Sequence, residues 1–203
     1  MQSTENQRHK IICIAAEKMK AVGVRSVSID DICSEIGMSK KTFYVYFESK
    51  DALVEALLAQ NLSDMQKVVE VSTKNKDSVE LILNFFRLQQ KVNDVRQIPT
   101  LVYDLQKYYP LLMKQHSENV RQFVEQLSQR MLEKGRQEGI FREDLKVDVA
   151  ARLLAALHQI WCKQVLAHSD QPTIIADSKY AFEIFFRGLI SDKGKQQILQ
   201  RIK

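Results

Sequence analysis

Residues 28–50, SIDDICSEIGMSKKTFYVYFESK, leave the backbone few choices. Ser28 and Asp31 have the spacing of a helix N-cap and the acidic side chain that closes a capping box. Ile29, Ile32 and Ile36 then fall on one face at helical spacing. Gly37 stops the helix, because glycine enters the left-handed region without a Cβ clash. Met38 returns the chain to the core, and Ser39 caps a second helix over 40–46. Phe43 and Phe47 turn inward to Ile32 and Ile36, and Cys33 is small enough to let the two helices cross closely.

That packing leaves Lys40, Lys41, Thr42, Tyr44, Val45 and Tyr46 facing outward. Phenolic hydroxyls and ammoniums on one exposed end form a phosphate-binding set, as a helix placed in a DNA groove requires. Lys50 follows Ser49, which caps a third helix. A lysine there adds its charge to free N–H groups that already favour anions. The bland alternative for any one of these lysines is a solvated basic helix end.

Only six glycines and three prolines occur in 203 residues, and few segments alternate with a period of two, so the chain is predicted to be nearly all helix. Helices are expected at about 4–22, the pair above, 50–70, 77–92, 97–108, 110–137, 147–168 and 172–191. Pro99 and Pro110 suit first-turn positions, where a missing N–H costs nothing. Gly135 and Gly139 mark the end of the longest helix, and the basic tail DKGKQQILQRIK is either a short helix or disordered.

The net charge of +5 favours an anionic partner mildly. The N-terminus is polar and unlike a signal peptide, and no apolar run approaches the roughly 20 residues of a membrane span. Three scattered cysteines, Cys13, Cys33 and Cys162, point to a reducing cytoplasm without a disulfide framework. The sequence has no HExxH, GxSxG, GxGxxG or phosphate loop, so no catalytic residues and no cofactor are assigned. A helical enzyme and an adaptor acting through a protein partner are the competing function classes.

Over residues 10–58 the sequence resembles the TetR (tetracycline-repressor) family of bacterial regulators. Ala15, Gly23, Asp31, Ile32, Gly37, Ser39, Thr42, Phe43, Tyr44, Tyr46, Phe47, Ser49, Lys50 and Leu53 carry the resemblance at fixed spacings. It implies an all-α chain: an N-terminal three-helix helix-turn-helix domain, 1–48, and a C-terminal helical bundle for effector binding and dimerisation, 49–203. It implies that 39–46 is the recognition helix, opened by Ser39. Thr42, Tyr44, Tyr46 and Lys50 would then meet phosphates or sugars, while Lys40 and Lys41 approach base edges. Three positions depart from the family pattern. Cys33 replaces alanine, Lys41 stands where a small residue is usual, and Val45, which could touch a thymine methyl, stands where a larger side chain is common. EGIFREDLKVDVAARLL and LVYDLQKYYPLL resemble body segments of the family less specifically.

For the body, a helix-lined apolar effector pocket is expected from Phe85, Phe86, Gln89, Tyr103, Tyr108, Met113, His116, Phe123, His158 and Trp161. The same aromatics would serve an ordinary core. His158 and Cys162 are four apart, but a third ligand at supporting spacing is missing, so no metal is assigned. The two last body helices are apolar around most of their circumference. Leu153, Leu157, Phe182, Phe186 and Leu189 are therefore expected at a two-fold dimer interface. The resulting expectation is a cytoplasmic homodimer, nucleoid-associated when bound to DNA. It would bind a palindromic double-stranded operator and release it on binding a small apolar or amphipathic effector.

Overall fold

Capping and periodicity divide the described residues into ten helices in the computed structural model, which describes the backbone of residues 2–91, 98–167 and 172–202. They are α1 (Gln2–Val22), α2 (Ile29–Ile36), α3 (Lys40–Tyr46), α4 (Lys50–Thr73), α5 (Ser78–Lys91), α6 (Ile98–Tyr108), α7 (Pro110–Gln137), α8 (Val147–Ala167), α9 (Pro172–Leu189) and α10 (Asp192–Ile202). No strand occurs among the described residues, only an isolated antiparallel bridge between Phe141 and Ile190. The predicted helices agree with this order, and the basic tail is the helix α10.

The chain forms two compact units, Met1–Lys67 with Gln97–Ser117, and Val68–Arg96 with Glu118–Lys203. The first unit is built on α1. Ile11, Ile12, Ala15 and Met19 form its buried stripe, joined by Val24, Val27, Ile32, Phe43, Phe47, Leu53, Val54 and Leu57. Burying each such large side chain contributes about 1.5–3 kcal/mol. Leu101 and Leu105 of α6 belong to the same core, with Tyr109, Leu112 and Met113 packed against it. Thus α6 and the start of α7 share a core with the first three helices, whereas the expected functional boundary at residue 48 follows the chain.

In the second unit Val79 and Ile82 of α5, Leu132 of α7, Leu154 of α8, and Phe182 and Phe186 of α9 form one core with Ile140 and Phe141. Gly139 ends α7 at φ 73°, so the expected stop is there. Gly135 is not a stop but a buried residue inside the helix, where an added Cβ would lie 2.4 Å from the Phe141 ring. The following turn is held by Ser191 N–H donating to the Ile140 carbonyl at 2.9 Å and Arg142 N–H donating to the Leu189 carbonyl at 3.0 Å. Arg201 of α10 grips both carboxylate oxygens of Asp77, which holds that carboxyl below its ordinary pKa.

The burial of α9 places three of the residues expected at a dimer interface inside a single chain. Phe182 and Phe186 are each 1% exposed and Leu189 is buried beside them, all within the core of a single chain. They recur at i, i+4 and i+7, the stripe that packs inward. Tyr180, Ala181, Ile184 and Gly188 face outward instead. On α8, Leu153 is exposed and Leu157 half-buried against the core.

Candidate nucleic-acid interface

The helix pair begins with the predicted capping box. Asp31 N–H donates to Ser28 Oγ at 3.1 Å, and Ser28 N–H donates to Asp31 Oδ2 at 2.7 Å. The Ser28 hydrogen bonds lower the Asp31 pKa. Gly37 closes α2 in the left-handed conformation, φ 75°, and its N–H reaches the carbonyls of Cys33 and Ser34. A Cβ added at Gly37 would meet no atom within 4 Å, so glycine is needed for its backbone angle and not for space.

Ser39 caps α3 by accepting from Thr42 N–H at 3.1 Å, and the two hydroxyls lie 2.9 Å apart. Ser39 and Thr42 are therefore exposed but engaged in the cap. Phe43 is fully buried, with its ring centroid 5.8 Å from Phe47 and 5.6 Å from Tyr44. This anchor orients the rest of a seven-residue helix. Lys40, Lys41, Tyr44 and Val45 are exposed, Val45 to 76%. Tyr46 is half-buried and packs against the core, so its face is only partly available.

Two of the expected DNA-contacting cations already have partners. Lys40 Nζ lies 2.9 Å from Asp30 Oδ2 of α2. Lys50 Nζ donates to the Val24 carbonyl at 2.6 Å, tying the start of α4 to the loop after α1. Desolvation lowers the Lys50 pKa. An ammonium has three donors, so Lys50 retains two beside this structural bond. Lys50→Met should consequently do two things. It should lower stability by about 1 kcal/mol for the lost hydrogen bond, read as a lower melting midpoint. It should also weaken binding to all DNA sequences about equally. A variant with unchanged melting and unchanged binding at moderate salt would remove both roles.

A polar joint between α6 and the loop after α1 was not legible in the sequence. Arg25 N–H donates to Asp104 Oδ2 at 3.2 Å, and its guanidinium donates to the Tyr108 hydroxyl at 3.0 Å. Tyr109 packs nearby, and burial followed by its bond to Asp51 pushes its pKa up to about 12. In the segment LVYDLQKYYPLL the signal was Asp104, an acidic group without an assigned partner, whereas Tyr108 was expected in the effector pocket.

The expected effector residues are distributed over both units. In the first, Tyr103 is 60% exposed, with Lys107 Nζ 5.5 Å over its ring, so it lines no apolar cavity wall. Tyr108 serves the Arg25 joint. Met113 and His116 are half-buried. In the second, Phe123, His158 and Trp161 are half-buried, and the His158 and Trp161 rings lie 5.7 Å apart. Cys162 Sγ is 3.7 Å from His158 Nδ1. Burial lowers the pKa of His158 and raises that of Cys162 to about 11, so neutral forms prevail at neutral pH. The side chains of Phe85, Phe86 and Gln89 lie outside the described residues. Among the described residues no group of three or more His, Cys, Asp or Glu side chains could hold a metal ion, and no helix is long and apolar enough to cross a membrane.

Residues 11–57 match the family described as bacterial regulatory proteins, tetR family. The uncharacterized HTH-type transcriptional regulator YvdT of Bacillus subtilis (strain 168) is 41% identical over 59 residues, 29% of this chain and 30% of that protein. The HTH-type transcriptional repressor KstR2 of Rhodococcus jostii (strain RHA1) is 26% identical over 152 residues, 73% of this chain and 74% of that protein. The match to YvdT thus spans under a third of that relative's length. A crystal structure of a TetR-family transcriptional regulator from Pectobacterium atrosepticum shares the fold, with a TM-score of 0.74 at 18% identity over 95% of this chain and 98% of that one.

Proposed function

From the premise that this chain belongs to the tetR family of bacterial regulatory proteins, we propose that it is a homodimeric, cytoplasmic repressor that releases a palindromic operator when a small effector binds. The observation that carries the reading is α3. It is short, capped at Ser39 and pinned by the buried Phe43, and it presents Lys41, Tyr44 and Val45 to solvent. In a helix-turn-helix the second helix enters the major groove while the first crosses the backbone. Tyr44, Tyr46, Thr42 and Lys50 would meet phosphates or sugars, Lys40 and Lys41 base edges, and Val45 a thymine methyl.

An exposed apolar face supports the homodimer. Val149, Leu153 and Ile160 lie on the outer side of α8, and Tyr180 and Ile184 on that of α9, the helix packed against it. The exposed small residues Ala156, Ala181 and Gly188 allow close approach of a second copy. A self-complementary patch on two neighbouring helices suits a two-fold axis. The half-buried Phe123, His158 and Trp161, with the neutral His158 and Cys162, suit an uncharged, largely apolar effector. The Arg25 joint to α6 and the Lys50 tie to α4 give the reading head two attachments through which a shift could be transmitted. Effector release requires that the ligand prefer one conformation, since equal affinity for two states shifts nothing. The repressor description of KstR2 supports repression over activation.

Selection of DNA from a random pool by the purified full chain tests the reading. The expected product is a palindrome whose half-sites lie about one helical turn apart or slightly more. A pool that shows no sequence enrichment at about 0.1 M salt, where roughly 10 Å of screening still leaves phosphate attraction, overturns it.

A further inference from the structure

Lys40 is the first residue of α3, and a cation at a helix N-terminus faces the positive end of the backbone dipole. No acidic residue lies in the first turn of α3 to offset it. The offset comes from another helix: Asp30, in the first turn of α2, holds the Lys40 ammonium at 2.9 Å. Both side chains stay more than half exposed, at 56% for Lys40 and 64% for Asp30, so the pair adds little to stability. The adjacent Lys41 is exposed as well, yet no ion pair restrains it among the described residues. Two neighbouring lysines on the same exposed helix end are therefore unlike: one is tethered and its charge balanced, the other is free.

We infer that Asp30 is a specificity-determining positioning residue, which directs the Lys40 ammonium to base edges and cancels the charge that would otherwise bind any phosphate. The inference rests on the DNA-binding function proposed above. A lysine is a point charge on a flexible stem and discriminates poorly between acceptors. Asp30 occupies one of its three donors and narrows its positions. Two donors remain for a base edge, with guanine O6 and N7 the matching acceptors. The balanced pair displaces few counterions, whereas Lys41 is free to displace them. The hydrogen bond to Asp30 also holds Lys40 firmly protonated. The cap of α2 does not depend on Asp30, because Ser28 and Asp31 form it.

Asp30→Asn, Asp30→Glu and the double variant Asp30→Asn/Lys40→Ala test the inference, each examined by DNA selection and by affinity for random-sequence DNA against salt. Asp30→Asn should bind random DNA more tightly, with a salt slope steeper by about 0.9 per half-site. Its selected consensus should lose preference at one position in each half-site, by about tenfold. Asp30→Glu, which keeps the pair, should retain the consensus. The double variant should return to a slope near that of the unmodified protein and show no preference at the same position. An unchanged consensus and slope in Asp30→Asn would overturn the inference. So would a consensus that the single and double variants change differently at positions away from that one, since Asp30 would then not act through Lys40. Failure of the unmodified protein to select any sequence would instead overturn the DNA-binding reading.

Discussion

Ile184→Glu is expected to convert the protein to a monomer and abolish tight operator binding. Ile184 is 54% exposed on α9, opposite the stripe of Phe182, Phe186 and Leu189 that fills the core. A carboxylate there has no cost in an isolated chain. At a two-fold apolar contact it would be desolvated without a partner, and the symmetry would bring in a second one. Losing the dimer removes the coupling between two half-sites, which is worth about 10²–10⁴-fold in apparent affinity. Sedimentation at micromolar concentration should show the monomer, still folded, with its melting midpoint lowered only by the lost stabilisation of association. Phe186→Glu should also lose operator binding, but by unfolding, because Phe186 is 1% exposed inside its own chain. Thermal melting separates the two variants. If Ile184→Glu sediments like the unmodified dimer, the α8–α9 face is not the interface.

Phe43→Ala is expected to be the most destabilising change in the reading head. The Phe43 side chain is fully buried and is the only residue of α3 so enclosed. Removing a buried phenylalanine costs about 3–5 kcal/mol, through lost transfer energy and the cavity left behind. That is a large share of the roughly 5–15 kcal/mol by which whole domains are stable. Melting should fall steeply and DNA binding with it. Tyr44→Ala, one position along and half exposed, should leave melting nearly unchanged while weakening DNA binding. Equal melting for the two variants would show that Phe43 does not anchor α3.

The contrast between Phe43 and Phe186 shows what could be read from the chain alone. Both belong to apolar patterns, but α3 is polar and basic around Phe43, so its inward side was evident. Along α9 apolar residues surround the helix, and periodicity carried no instruction about which stripe would face the core. Leu153 and Leu157 show the same ambiguity on α8: they are four apart, yet one is exposed and the other half-buried. Lys50 illustrates a second limit. Its charge and its place after Ser49 were legible, whereas its bond to the Val24 carbonyl, 26 residues earlier, was not.

The caps, stops and order of the helices were determined by the sequence itself. Ser28 with Asp31, Gly37, Ser39 and Pro110 act on backbone groups within a few residues, so their effect is independent of distant packing. Tertiary structure alone decided which face of α9 is buried, that α6 shares a core with α1, and that Asp30 balances Lys40 while Arg25 meets Tyr108. These outcomes depend on which surfaces meet. Burial and ion pairing are properties of neighbours in space, and the local pattern of a helix does not specify its neighbours.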